Sequence, residues 1–165
     1  MLVLTRIDDR LIHGQVVEGW ANYLKATCII VADDRAAANT LQRSIMELSV
    51  PRGLTVLVGS VKEMCERLRS GVLDKERVIL LFSNPEAALH ALQEGLPSRS
   101  VNIGGMHYVP GKRKLMDVLA VDDSDVEALR EITRMGVSVD VQTVPTGRPM
   151  PLAKVFKVCA RTGNL

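Results

Sequence analysis

The strongest constraint on the fold of this chain is an alternation of two apolar patterns. Short runs rich in Val, Ile and Leu recur at residues 2–5, 27–32, 55–58, 77–82, 100–103 and 137–144. Apolar runs of this length read as strands buried on both faces. Between them lie stripes at helical spacing. These are Val16, Val17, Trp20, Ala21 and Leu24; Ala37, Leu41, Ile45 and Leu48; Val61, Met64, Cys65 and Leu68; Ala88, Leu89 and Leu92; and Val126, Leu129, Ile132 and Thr133. Such alternation demands right-handed crossovers. It predicts an α/β fold, an open, mainly parallel sheet of about six or seven strands with helices on both faces. A further run at 115–121, interrupted by Asp117, reads as an edge strand.

Helix boundaries are marked chemically. Ser60-Val-Lys-Glu63 and Ser124-Asp-Val-Glu127 fit the capping box, in which hydroxyl and carboxylate satisfy orphan amides reciprocally. Asn84 before Pro85 fits an N-cap with proline at the first helical position. Gly95 and Gly136 stand where left-handed C-terminal caps belong. No linker or repeat divides the 165 residues, so a single domain over 1–165 is expected.

Composition narrows the function. A net charge of +2 and 3% aromatic residues give no footing for a nucleic-acid binder. No apolar run approaches the roughly 20 residues of a membrane span, and the start does not resemble a signal peptide. Cys28, Cys65 and Cys159 are widely spaced and suggest neither a disulfide framework nor a metal site. A reduced, cytoplasmic protein is expected.

In open α/β sheets ligands bind beyond the carboxyl ends of the strands. The loops there are 5–15, 33–36, 59–61, 83–86 and 104–111. The first is the most informative: Arg6-Ile-Asp-Asp-Arg-Leu-Ile-His-Gly-Gln15. His13 lies at the start of the first helix, whose unpaired N–H groups suit a phosphate. Gly14 lets backbone approach closely, and Arg6 and Arg10 add planar cations. Imidazole can take up and release a phosphoryl group near neutral pH. That transfer needs positioning and charge stabilisation rather than covalent help from a cofactor, so no metal or cofactor is called for. The same residues admit a plainer reading, in which His13 caps the helix and Arg6, Asp8, Asp9 and Arg10 form a local ion-pair cluster.

The stretch Arg6-Ile-Asp-Asp-Arg-Leu-Ile-His-Gly-Gln-Val16, with Trp20 four residues on, resembles the phosphorylation-site signature of the enzyme IIB component of the mannose/fructose/sorbose family of bacterial phosphotransferase systems. Supporting matches are Val31-Ala-Asp-Asp34, Asn84-Pro85, Asn102-Ile-Gly-Gly-Met106 and Val141-Gln-Thr-Val-Pro145, so the resemblance spans essentially the whole chain. It implies that His13 takes a phosphoryl group from a phosphohistidine on a IIA protein or domain. It further implies transfer to a sugar held by a membrane IIC/IID permease, with which the chain would associate peripherally. Arg10 matches the family's active-site arginine and Asp8 its neighbouring acid; Arg6, Gly14 and Gln15 are expected to support phosphate binding.

Other residues admit two readings. His107 either assists phosphate binding or is an ordinary loop residue. Asp33 and Asp34 either orient Arg10 or cap a helix. Lys112, Arg113 and Lys114 form either a solvated loop or a positive docking surface. A receiver-like module is disfavoured because the third strand ends in Gly59-Ser60, where its acceptor aspartate would stand. A nucleotide-binding domain lacks its glycine patterns. A IIB-like regulatory phosphoprotein without a transport role stays open.

Overall fold

The computed structural model describes residues 1–163 and 165. In chain order the elements are β1 (Leu2–Asp8), a π-helical segment (Gln15–Ala21) running into α1 (Asn22–Leu24), and β2 (Cys28–Ala32). Then come α2 (Asp34–Ala38), α3 (Thr40–Leu48), β3 (Thr55–Gly59), α4 (Val61–Arg69), β4 (Val78–Phe82), α5 (Pro85–Gln93) and β5 (Ser100–Gly105). The chain continues through β6 (Arg113–Met116), β7 (Leu119–Val121), α6 (Asp123–Arg134), β8 (Ser138–Val141), β9 (Met150–Pro151) and α7 (Leu152–Arg161).

Seven strands form one sheet in the order β3-β2-β4-β1-β5-β8-β9, parallel except for β9. Strand alternation divides the core into two layers. Cys28, Ile30 and Ala32 of β2, with Val78, Leu80 and Phe82 of β4, join residues of α4, α5, α6 and α7. Ile29, Val31, Ile79 and Leu81 face the other way, onto the π-helical segment, Ala36 of α2 and Met46 of α3. The doubly covered parallel sheet expected from the apolar runs is therefore present.

Several expectations are corrected. Residues 115–121 are not an edge strand of the main sheet; β6 and β7 form a separate antiparallel hairpin, with Asp117 in its turn. The box expected at Ser124 is built two residues earlier. Asp122 accepts from Asp125 N–H at 2.9 Å and Asp125 accepts in return from Asp122 N–H at 3.0 Å. Ser60 does cap α4, accepting from Glu63 N–H, and Asn84 caps α5 ahead of Pro85. Gly95 and Gly136 have φ of +88° and +82°, as a left-handed cap requires.

The largest departure lies in the second stripe. Asn39 adopts an extended φ of −106° and caps α3 through Gln42 N–H, so α2 and α3 are two helices out of phase. Leu41, Ile45 and Leu48 are 71%, 58% and 84% exposed, and the buried residues are Ala36 and Met46. Helix α7 lies outside the expected stripes and buries Leu152, Val155 and Cys159.

Candidate active site

Strand β1 reaches Asp8, further than its apolar run suggests, because Arg6, Ile7 and Asp8 pair with β5. Residues two apart share a face, so Arg6 and Asp8 both project toward the π-helical segment while Ile7 enters the opposite core layer. After Asp8 the chain turns sharply: Leu11 N–H returns to Asp8 O at 2.9 Å, and Leu11 takes a left-handed φ of 54°. A buried, branched residue there is strained. The carbonyl of His13 then accepts from the N–H groups of Val16 and Val17, starting the helix. Its wide π turns bring Trp20 back under β1, where its ring lies 5.4 Å from the Arg6 guanidinium. π-Helical turns are often found at functional sites.

Asp8 is the hub. Its Oδ2 accepts from Arg6 at 2.9 and 3.3 Å and meets His13 Nε2 at 3.0 Å. Its Oδ1 accepts from the Arg10 backbone N–H at 3.3 Å and lies 3.6 Å from Arg10 Nε. Burial alone would raise the Asp8 pKa. The hydrogen bond from His13 and the charge of Arg6 outweigh it and hold the carboxyl below its ordinary range. An ionised carboxylate only accepts. His13 Nε2 therefore carries the proton, and the lone pair is on Nδ1.

His13 is 16% exposed and Arg10 44%. Arg10 reaches across to Gln15 Oε1 at 3.1 Å. A Cβ built at Gly14 would meet nothing within 4 Å, so the space beside His13 is open. The first N–H groups of a helix have no intrahelical partner. Arg10, Gly14 and Gln15 are exposed beside His13 in the chain, with Asp8 buried behind it.

Arg6 is not part of that surface, contrary to the role expected for it in phosphate binding. Its side chain is fully buried and all five N–H donors are taken. Two go to Asp8, one to Asn102 Oδ1, and one each to the carbonyls of Gln142 and Thr143 at 3.0 and 3.2 Å. Burial pulls its pKa down, against the raising effect of Asp8. Its support is indirect, through Asp8. Trp20 Nε1 donates to the same Thr143 carbonyl at 3.0 Å. Sequence reasoning assigned no role to Asn102 or Thr143. The available signal was Arg6 itself, since an arginine inside a buried strand needs acceptors nearby.

Other candidates are placed elsewhere. Asp33 caps α2 through Ala36 N–H at 2.7 Å and accepts from Ser83, and Asp34 accepts from Val61 N–H at 3.0 Å. Neither orients Arg10. They line a depression of about 360 Å³ with Asn84, Glu86 and His90. The basic loop is neutralised within the protein: Lys112 pairs with Asp125 at 2.6 Å, Arg113 with Asp123 and Lys114 with Asp117, each at 2.8 Å. Among the described residues no helix is long and apolar enough to cross a membrane.

An open, mainly parallel α/β sheet carrying a partly exposed imidazole held by a buried carboxylate fits a carrier of the phosphotransferase type. Residues 2–163 match the family described as PTS system sorbose subfamily IIB component, and the chain belongs to that family. It is 32% identical over 155 residues to the N-acetylgalactosamine-specific phosphotransferase enzyme IIB component 2 of Escherichia coli K12, covering 94% of this chain and 98% of that one. It is 36% identical over 143 residues to the mannose-specific EIIAB component of the same strain, covering 87% of this chain but 44% of that longer protein. The crystal structure of the IIBSor domain of the sorbose permease from Klebsiella pneumoniae superposes with a TM-score of 0.91 at 31% identity, covering 96% and 97% of the two chains. The protein is a phosphotransferase-system IIB component, a phosphotransferase subunit of sugar uptake.

Proposed function

We propose that His13 is the phosphoryl carrier, charged by the phosphohistidine of a IIA protein or domain and discharged to a sugar held by a membrane IIC/IID permease. The carrying observation is the contact of His13 Nε2 with Asp8 Oδ2 at 3.0 Å, which leaves Nδ1 to act as the nucleophile, while Arg10 sits 3.6 Å from the other oxygen of the same carboxylate. Nδ1 attacks phosphorus in line with the donor nitrogen. The P–N bond to the donor breaks and its electron pair stays on the donor ring. His13 becomes a phosphoimidazolium whose Nε2–H faces the Asp8 carboxylate, so no proton need move. Arg10 neutralises charge on the equatorial oxygens, assisted by the helix-start amides at Gly14 and Gln15.

The fused mannose-specific EIIAB relative supports a IIA partner. The substrate class is that of the sorbose, mannose, fructose and N-acetylgalactosamine relatives. Residues 1–165 act as one IIB unit at the cytoplasmic face of the permease. The test is incubation with phosphorylated IIA. Wild type should acquire an acid-labile, base-stable phosphate that His13→Ala, folded to the same urea midpoint, does not. Equal labelling of both would refute the assignment.

A further inference from the structure

A second imidazole stands at the same end of the sheet. His107 follows β5, and Asp9 holds it twice: the backbone N–H of His107 donates to Asp9 Oδ2 at 2.6 Å, and its ring Nδ1 meets Asp9 Oδ1 at 2.6 Å. Asp9 is itself anchored by its N–H to the Gly105 carbonyl at 3.0 Å, and Asp8 pairs with Gly105 across the strands. A Cβ at Gly105 would lie 3.0 Å from His107 Cε1 and 3.5 Å from Asp8 Oδ1. Only a glycine separates the His107 ring from the carboxylate that orients His13. The oxygen concerned, Oδ1, is the one beside Arg10, so His107 approaches from the Arg10 side. The ring is half exposed.

We propose that His107, oriented by Asp9, contacts the phosphoryl group carried on His13, reaching it from the side of Asp8 Oδ1 and Arg10. This rests on the reading of His13 as acceptor. Asp9 takes the Nδ1 proton in a hydrogen bond, so Nε2 is the nitrogen that answers to the phosphate. As the anionic group arrives, Nε2 takes a proton from water and donates it in a hydrogen bond to a phosphoryl oxygen, with the Asp9 carboxylate balancing the imidazolium. His107 forms no bond to phosphorus, and the transfer between donor nitrogen and Nδ1 is unchanged in its atoms. Of the charged groups, Asp9 contacts it, Asp8 stands across Gly105 from it, and Arg10 and His13 are joined to that Asp8; Lys112, on its own loop, is turned to Asp125. A residue that merely clips the loop would hold the same bonds to Asp9 without responding to phosphate.

The full chain is phosphorylated with phosphoramidate, and the ring nitrogens of His107 are followed by nitrogen-15 NMR at constant pH near 7.5. On phosphorylation His107 Nε2 should change from a lone-pair to a protonated nitrogen. His107→Ala should slow phosphate uptake about 5- to 50-fold, the range for one charge-assisted hydrogen bond at a half-exposed site. His107→Arg should restore most of the rate, and urea midpoints should move little. An unmoved His107 ring, with His107→Ala charged at the wild-type rate, overturns the proposal and leaves His13 as acceptor. A phosphate label that survives His13→Ala overturns both.

Discussion

Asp8 has no solvent to share its charge, so its environment must supply every compensating bond. Two oxygens accept from Arg6, His13 and the Arg10 backbone, and the ion pair with Arg6 has neither side chain exposed. Removing one partner of such a pair leaves the other uncompensated, at a cost of about 3–5 kcal/mol. Asp8→Asn should be destabilised by about that much at pH 7 in urea unfolding. The sign with pH follows from the lowered pKa. A depressed carboxyl contributes stability above its unfolded value near 3.9, lost as pH falls through the folded value. The gap between wild type and Asp8→Asn should therefore narrow between pH 5 and pH 3; a constant gap would show that the Asp8 charge is not what is lost. Arg10 works in the open instead. Arg10→Lys keeps the charge and loses the planar fork, so transfer from phosphorylated IIA should slow about 10- to 1000-fold, by analogy with loss of one oxyanion donor. Unchanged kinetics would remove Arg10 from the transfer step.

Whole elements divide by how locally they are encoded. Strands β2 and β4 are continuous apolar runs buried along their length, and each was legible because burial on both faces leaves no alternation to confuse. The first loop was legible because His13, Arg10 and Asp8 lie within six residues of one another. The buried place of Arg6 is not legible locally, because its acceptors beyond Asp8 come from β5 and the chain after β8, 96 to 137 residues away, and local spacing carries no trace of them. Similarly, nothing local distinguishes a core stripe on α3 from a solvent-facing one once Asn39 resets the helical phase. This has a measurable consequence. Leu41→Gln and Ile45→Gln should shift unfolding by no more than about 0.5 kcal/mol, whereas Met46→Ala, which empties a buried position, should cost about 2–3 kcal/mol. Equal losses at all three positions would mean the α3 stripe is covered in solution.

At the scale of the molecule, the fold gathers the carboxyl ends of β1 and β5 and the chain after β8 around one buried cation. Gly104 is part of that arrangement: a Cβ there would lie 1.8 Å from the Arg6 guanidinium, which five hydrogen bonds prevent from moving aside. Behind the site the buried polar side chains among the described residues all have hydrogen-bond partners; in front of it Arg10 and Gln15 are exposed and His13 partly so. The positive face expected from Lys112–Lys114 does not exist as free charge, since each of the three is paired with an acid. Arg10, half exposed and paired with the Asp8 that holds His13, is the cation tied to the site. The chemistry of the site depends on which imidazole nitrogen takes the phosphate, and long-range proton–nitrogen NMR of the phosphorylated protein reads this directly. Because Asp8 holds Nε2, phosphorus should be found on Nδ1 of His13, with Nε2 still protonated. Phosphate on Nε2 would contradict the account, since it requires the bond to Asp8 to be broken in the state the site is built to stabilise.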